Sequence, residues 1–240
     1  MEKLKKLLKK YVPFWHSVLR RNKLKRLANL PDGYYSQFGE DRELEKFWHL
    51  AEPGKDIFVD VGAWHPVQFS NTFRLYKRGM RGVVVEPSTT FIEEFKWLRP
   101  EDTLITSCAG STFGILPFAE FEGGLLNTLD PEALADYLEK GNKVSRRSMM
   151  PVIPVNEVLK KMSFDRIFLL DIDAEGHDFQ VLQGCSDFLD RVMILAIETE
   201  IHPDKRSEID DYLIERGFNK AKTIKATSLW VNPKHVPDAG

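Results

Sequence analysis

Phe58-Val59-Asp60-Val61-Gly62-Ala63 is the stretch on which the fold turns: an apolar run enters an acid and then a glycine. A short apolar run closed in this way predicts a buried strand of a parallel sheet, ending in a tight loop. Ligands of open α/β sheets bind at that carboxyl edge, near the switch in strand order. Gly62 lets backbone approach a ligand closely, and Asp60 is placed to order the loop or meet a ligand's amino group. One βαβ interval later, Val83-Val84-Val85-Glu86-Pro87 ends a second strand on a carboxylate. Such a carboxylate suits both hydroxyls of a ribose. A pyrophosphate site fits poorly, because Gly62 is followed by Ala63-Trp64-His65-Pro66 and no G-x-G-x-x-G appears.

Outward from this stretch, strand-like runs cover 56–61, 82–86, 103–108, 166–172 and 192–198. Helix-like segments cover 70–78, 89–98, 156–162, 177–184 and 205–216, with a further helix over 40–48. Ser88 and Asn156 are candidate N-caps, and Gly79, Gly184 and Gly217 stand where helices stop. This alternation predicts an α/β, Rossmann-like fold, a mostly parallel sheet covered on both faces. After Gly217, 218–223 and 227–231 read as an antiparallel strand pair with no helix between them. The segment 110–154 breaks the rhythm and is read as a substrate-facing insertion, with a helix over 131–140 and a basic run over 143–147.

Charge is unevenly spread. Residues 1–30 hold ten Lys/Arg and one acid, leaving 24 basic against 35 acidic residues in the body, 31–240. Leu4, Leu7, Leu8 and Tyr11 recur at helical spacing, and Pro13 divides the pattern. This extension reads either as a helix packed on the body or as an amphipathic segment lying on an anionic membrane surface. Two cysteines without metal-ligand spacing, no apolar signal stretch and no membrane span predict a cytoplasmic protein, with peripheral contact at the inner membrane face through the extension.

Five separated motifs then occur in one order: Tyr35-Ser36-Gln37-Phe38-Gly39-Glu40-Asp41, the loop from Asp60 to Pro66, Ser70-Asn71-Thr72, Glu86-Pro87, and Leu170-Asp171-Ile172-Asp173-Ala174-Glu175-Gly176-His177-Asp178. Together they resemble the FkbM family of S-adenosylmethionine (SAM)-dependent methyltransferases, in the branch that opens with S-Q-x-G-E-D. The closing strand pair agrees with the class I methyltransferase plan. Pro66 stands where relatives commonly have glycine, and Asp171 where many have lysine. The resemblance implies SAM as cofactor and O-methylation of a hydroxyl on a glycan, glycolipid or other secondary metabolite. It implies a SAM site built from Asp60, Gly62, Ala63, Asn71, Glu86, Pro87 and Ser88. Gln37, Glu40 and Asp41 would cap that site, with Cys108 and Ala109 near the adenine.

Methyl transfer to a hydroxyl requires alignment of the acceptor and a group to take its proton. Asp173, Glu175 and His177 fall where the fourth strand yields to its helix, and His65 follows the cofactor loop; these are the catalytic candidates. Asp173 or His177 would act as base, an ordinary imidazole titrating near pH 6.5. Asp171, Asp173 and Glu175 alternate with period two and would offer Mg²⁺ or Ca²⁺ three oxygens if the strand continued. No metal site is assigned, because a strand ending near Asp173 scatters them. His202 is a polar loop histidine, and Trp64 and Trp97 are core or cleft wall. A small-molecule or glycan hydroxyl is the expected acceptor and nucleic acid is not. A protein or nucleic-acid acceptor, or a non-catalytic SAM-binding module, stands as the alternative.

Overall fold

The computed structural model describes residues 29–199 and 203–237, together with residues 22, 26 and 27. The amphipathic pattern of the basic extension and His202 lie outside the described residues. Among the described residues no helix is long and apolar enough to cross a membrane.

A seven-stranded sheet runs β3-β2-β1-β7-β8-β10-β9, using β1 (Ile57–Val61), β2 (Arg81–Val85), β3 (Thr103–Ile105), β7 (Ile167–Ile172), β8 (Val192–Glu198), β9 (Asn219–Ile224) and β10 (Thr227–Val231). The first five of these in sheet order are parallel, and β10 pairs antiparallel with both β8 and β9. Every residue of β1 and β7 is buried, as apolar strands sandwiched between helices must be. Strand order reverses between β1 and β7, so their carboxyl ends diverge into a crevice.

Several local expectations are corrected. The run 103–108 splits: β3 stays in the main sheet, whereas β4 (Cys108–Ala109) turns away and pairs with β6 (Val144–Ile153). Together with β5 (Gly114–Phe121) these form a second sheet of order β4-β6-β5. The helix over 40–48 is α-helical only at Glu40–Leu44 and tightens to a 3₁₀ helix at Glu45–Leu50. Ser88 caps nothing: Ile92–Leu98 begins after Phe91, while the Ser88 hydroxyl meets that of Thr90 at 2.9 Å. Asn156 lies inside Val155–Leu159, which starts after Pro154. The Pro131–Glu139 helix, by contrast, has a side-chain cap. Asp130 Oδ1 accepts from Glu132 N at 2.8 Å and Ala133 N at 3.0 Å, and proline opens the first turn.

Two features fix the crevice. Gly62 adopts φ +85°, and a Cβ there would lie 1.7 Å from the Asp173 carbonyl oxygen, so only glycine lets the loops after β1 and β7 cross so closely. Asp173 N donates to Val61 O and Gly62 N to Val85 O, both at 2.9 Å, lacing three strand ends together. Beneath them, the Arg99 guanidinium is wholly buried. Its Nε donates to Asp102 at 2.7 Å and its Nη1 lies 3.8 Å from Asp60. Thr72 Oγ1 also donates to Asp60. Burial pushes the Asp60 carboxyl upward, and Arg99 and Thr72 pull it back toward ionisation.

Replacing Asp60 by alanine leaves the Thr72 hydroxyl without its acceptor and removes a counter-charge from the buried Arg99, so stability should fall by about 1–3 kcal/mol. Urea denaturation of the variant reads this directly, and an unchanged midpoint would contradict the role.

Candidate functional site

At the carboxyl edge of β1, β2 and β7 lies a cleft of about 390 Å³, within the roughly 300–1,000 Å³ typical of small-molecule sites. Gly62 and Ala63 line it from β1, Glu86 and Pro87 from β2, Cys108 and Ala109 from β4, and Asp173, Glu175 and His177 from the loop after β7. Gln37 reaches it from the N-terminal side. The structure therefore gathers these sequence candidates around one space.

Glu86 is the buried acid on the β2 side of the cleft. Its Oε2 accepts from Trp64 N at 2.8 Å and its Oε1 from Ser88 N at 2.7 Å. Those two bonds aim the carboxyl group and favour its charge, but burial dominates and raises its pKa to about 7. Each oxygen keeps acceptor capacity for a ligand donor.

Other candidates are not in the cleft lining. Asp60 turns to Thr72 and Arg99 and acts on the loop from below. Asn71 donates through Nδ2 to Asp171 Oδ1 at 3.1 Å, and the Ser88 side chain faces Thr90. Glu40 Oε2 accepts from Phe38 N at 3.0 Å, while Asp41 accepts from Tyr35 N at 2.5 Å and the Ser36 hydroxyl at 2.7 Å. Both acids thus shape the 35–41 turn that carries Gln37 and Phe38 to the cleft. His65 is fully buried, with Nδ1 accepting from Val67 N and Gln68 N at 3.0 Å each and its ring set against Phe91. It shapes the loop and cannot reach an acceptor.

A carboxylate trio also faces the cleft, from the loop after β7 and the end of β8. Asp173, Glu175 and Glu198 present oxygens that all lie within 4.8 Å of one another. Three like charges so close cannot all ionise, so protons stay on some of them. Burial, and then the neighbouring Asp173, push Glu175 and Glu198 well above the carboxylate range. Asp173 sits at about 6, raised mainly by desolvation and then by Asp60 and Glu40. A hydrogen bond with Glu198 pulls it back down, which makes Asp173 the acid of the trio most readily ionised. The same spacing matches what a divalent cation asks of oxygen ligands. The trio differs from the period-two set read from sequence. Asp171 is buried beside Asp60 across the β1–β7 ladder, and β8 supplies Glu198 instead.

The segment 110–154 reaches this centre. Tyr137 donates its hydroxyl to Glu175 Oε2, and Thr128 Oγ1 donates to the Glu175 carbonyl at 2.7 Å. These contacts hold Glu175 at φ +50°, an uncommon setting for a residue with a side chain. Asp178 accepts from Ala174 N at 2.7 Å and Gly176 N at 3.0 Å, closing the loop from its far end. Trp64 stacks on Phe69 at 5.6 Å, and its Nε1 donates to Gly123 O at 3.0 Å, tying the β1 loop to the same segment. Tyr137 and Glu198 were not singled out as cleft residues in the sequence, whereas Trp64, read there as core or cleft wall, does line the cleft. The Glu198 position, at the carboxyl end of the fifth strand, was the one available signal.

A family model described as the methyltransferase FkbM domain matches residues 60–220, which run from the last two residues of β1 through β8 and the trio and stop at the start of β9. No curated protein and no solved structure matches the chain with significance. With two-thirds of its length matched, and with the strand order and cleft of that fold, the chain belongs to the FkbM methyltransferase domain family.

Proposed function

We propose that this chain transfers the methyl group of SAM to a hydroxyl of its acceptor. The observation that carries the reading is the pairing across one cleft of Glu86, at the end of β2, with the Asp173–Glu175–Glu198 trio.

The residues fit SAM on two counts. Glu86 offers acceptors to a pair of ribose hydroxyls where the sheet edge opens. The loop after β1 uses its own amides internally: Trp64 N on Glu86, and Val67 N and Gln68 N on His65. It therefore presents no cradle for phosphate, which a dinucleotide needs and SAM does not. Gly62, Ala63, Cys108 and Ala109 would hold the adenosyl portion, with Gln37 closing the N-terminal side.

When bound, SAM supplies a methyl group already activated on a sulfonium. What remains for the chain is to align the acceptor oxygen and take its proton. Asp173 is the group for the second task, being the most readily ionised member of the trio and open to the cleft. As the methyl–sulfur bond gave way to the bond to the acceptor oxygen, leaving the thioether S-adenosylhomocysteine, that oxygen's proton would pass to the Asp173 carboxylate. Glu198 and Glu175, holding protons, spare Asp173 the repulsion that would suppress its charge. Tyr137 keeps Glu175 in place as a donor to it.

Calorimetric titration should show saturable SAM binding and no saturable heat with NAD. Glu86→Ala should weaken SAM by about 10–100-fold, the loss of one or two hydrogen bonds to a charged group; an unchanged Kd would sink the assignment.

Protonated Asp173 cannot accept a proton, so the methyl-transfer rate should climb as pH rises through about 6 and level off above about 7. Asp173→Asn should cut the rate by about 10²–10⁴-fold and abolish that limb. A variant that turns over at the wild-type rate would remove Asp173 from the chemistry.

A further inference from the structure

A second cavity, of about 490 Å³, adjoins the cleft. Phe118, Leu129 and His177 line both spaces, so the two share a wall beside the trio. Away from that wall the surroundings are mainly apolar, with Leu116 and Leu134 on β5 and the Pro131–Glu139 helix. Of the polar groups there, the Thr128 hydroxyl bonds Glu175 O and Asp130 N, and Asp130 caps the helix, while Gln180 Oε1 is buried with no hydrogen-bond partner among the described residues. Arg147 differs. It is exposed on β6 at the cavity, and its side chain makes no ion pair or hydrogen bond among the described residues.

Resting on the methyl-transfer reading, we infer that this cavity seats the apolar body of the acceptor and that Arg147 receives its anionic group, so the substrate is a hydroxylated apolar acid. A bare sugar would bring many hydroxyls to walls where Gln180 Oε1 is the one buried acceptor left unpartnered among the described residues, so most would go unbonded, which is costly. A hydrocarbon body loses nothing there, and the guanidinium matches the paired oxygens of a carboxylate or phosphate. The hydroxyl then projects past Phe118 and His177 to Asp173. Among the acceptors implied by the family resemblance, those with an apolar part are selected.

The test is calorimetric titration of the full-length protein with ω-hydroxylaurate and, separately, with the corresponding diol and with SAM. Saturable binding of the acid is expected. Leu116 is 37% exposed, so Leu116→Glu should fold normally. It should weaken both the acid and the diol at least about tenfold while SAM binds as before. Arg147→Ala should weaken the acid about 5–10-fold and leave the diol unchanged. No saturable binding of the acid, or wild-type binding by both variants, overturns the inference. Acid binding without SAM binding strikes the cofactor reading and leaves the cavity assignment standing; SAM binding without acid binding does the reverse.

Discussion

The close passage of Gly62 against the Asp173 carbonyl is the constraint on which the site depends. A side chain at 62 would occupy the position of that carbonyl oxygen, so any larger residue forces the β1 and β7 loops apart. With glycine there, the Asp173 amide reaches Val61 O and the Gly62 amide reaches Val85 O. The ends of β1, β2 and β7 become one rigid rim, and Glu86 and Asp173 are held at fixed positions on it. The main sheet needs this crossing only at its carboxyl edge, where strand order reverses and ligands of such folds enter.

The second governing feature is the amount of negative charge the fold confines. Asp60, Asp171 and Asp178 are buried, and Asp173, Glu175 and Glu198 converge beside them. The buried Arg99 offsets only the Asp60 and Asp102 end. Elsewhere the relief comes from protons and from backbone amides, as with Asp178, whose pKa is raised to about 7 even while it caps the 173–178 loop. Groups titrating near neutrality are what proton-transfer chemistry requires, and burial together with like-charge crowding produces them here.

The fold was largely legible because its signals are periodic and local. β10 lies where the sequence pattern put it, at 227–231, and β1, β7 and β8 are short, mainly apolar runs, broken only by Asp60 and Asp171 and closed by Glu198, as buried strands are. The failures were tertiary. Nothing local distinguishes Asp60, which faces Arg99 from beneath, from an acid that faces the cleft. His65 follows a cofactor loop in sequence, yet its ring folds back onto the Val67 and Gln68 amides. The acids at 171, 173 and 175 share a period-two pattern, but the strand ends at Ile172 and the chain turns through Glu175 at positive φ. Tyr137 and Glu198 come from segments far away in sequence, and only the packing of the second sheet and helix over the crevice brings them to Asp173 and Glu175.

The most direct test of the central claim is a crystal structure of the protein with S-adenosylhomocysteine. The account predicts the ribose hydroxyls on Glu86, the adenine beside Cys108 and Ala109, and the sulfur turned toward Asp173. Adenosine bound away from Glu86, or a sulfur pointing away from the carboxylate trio, would contradict it.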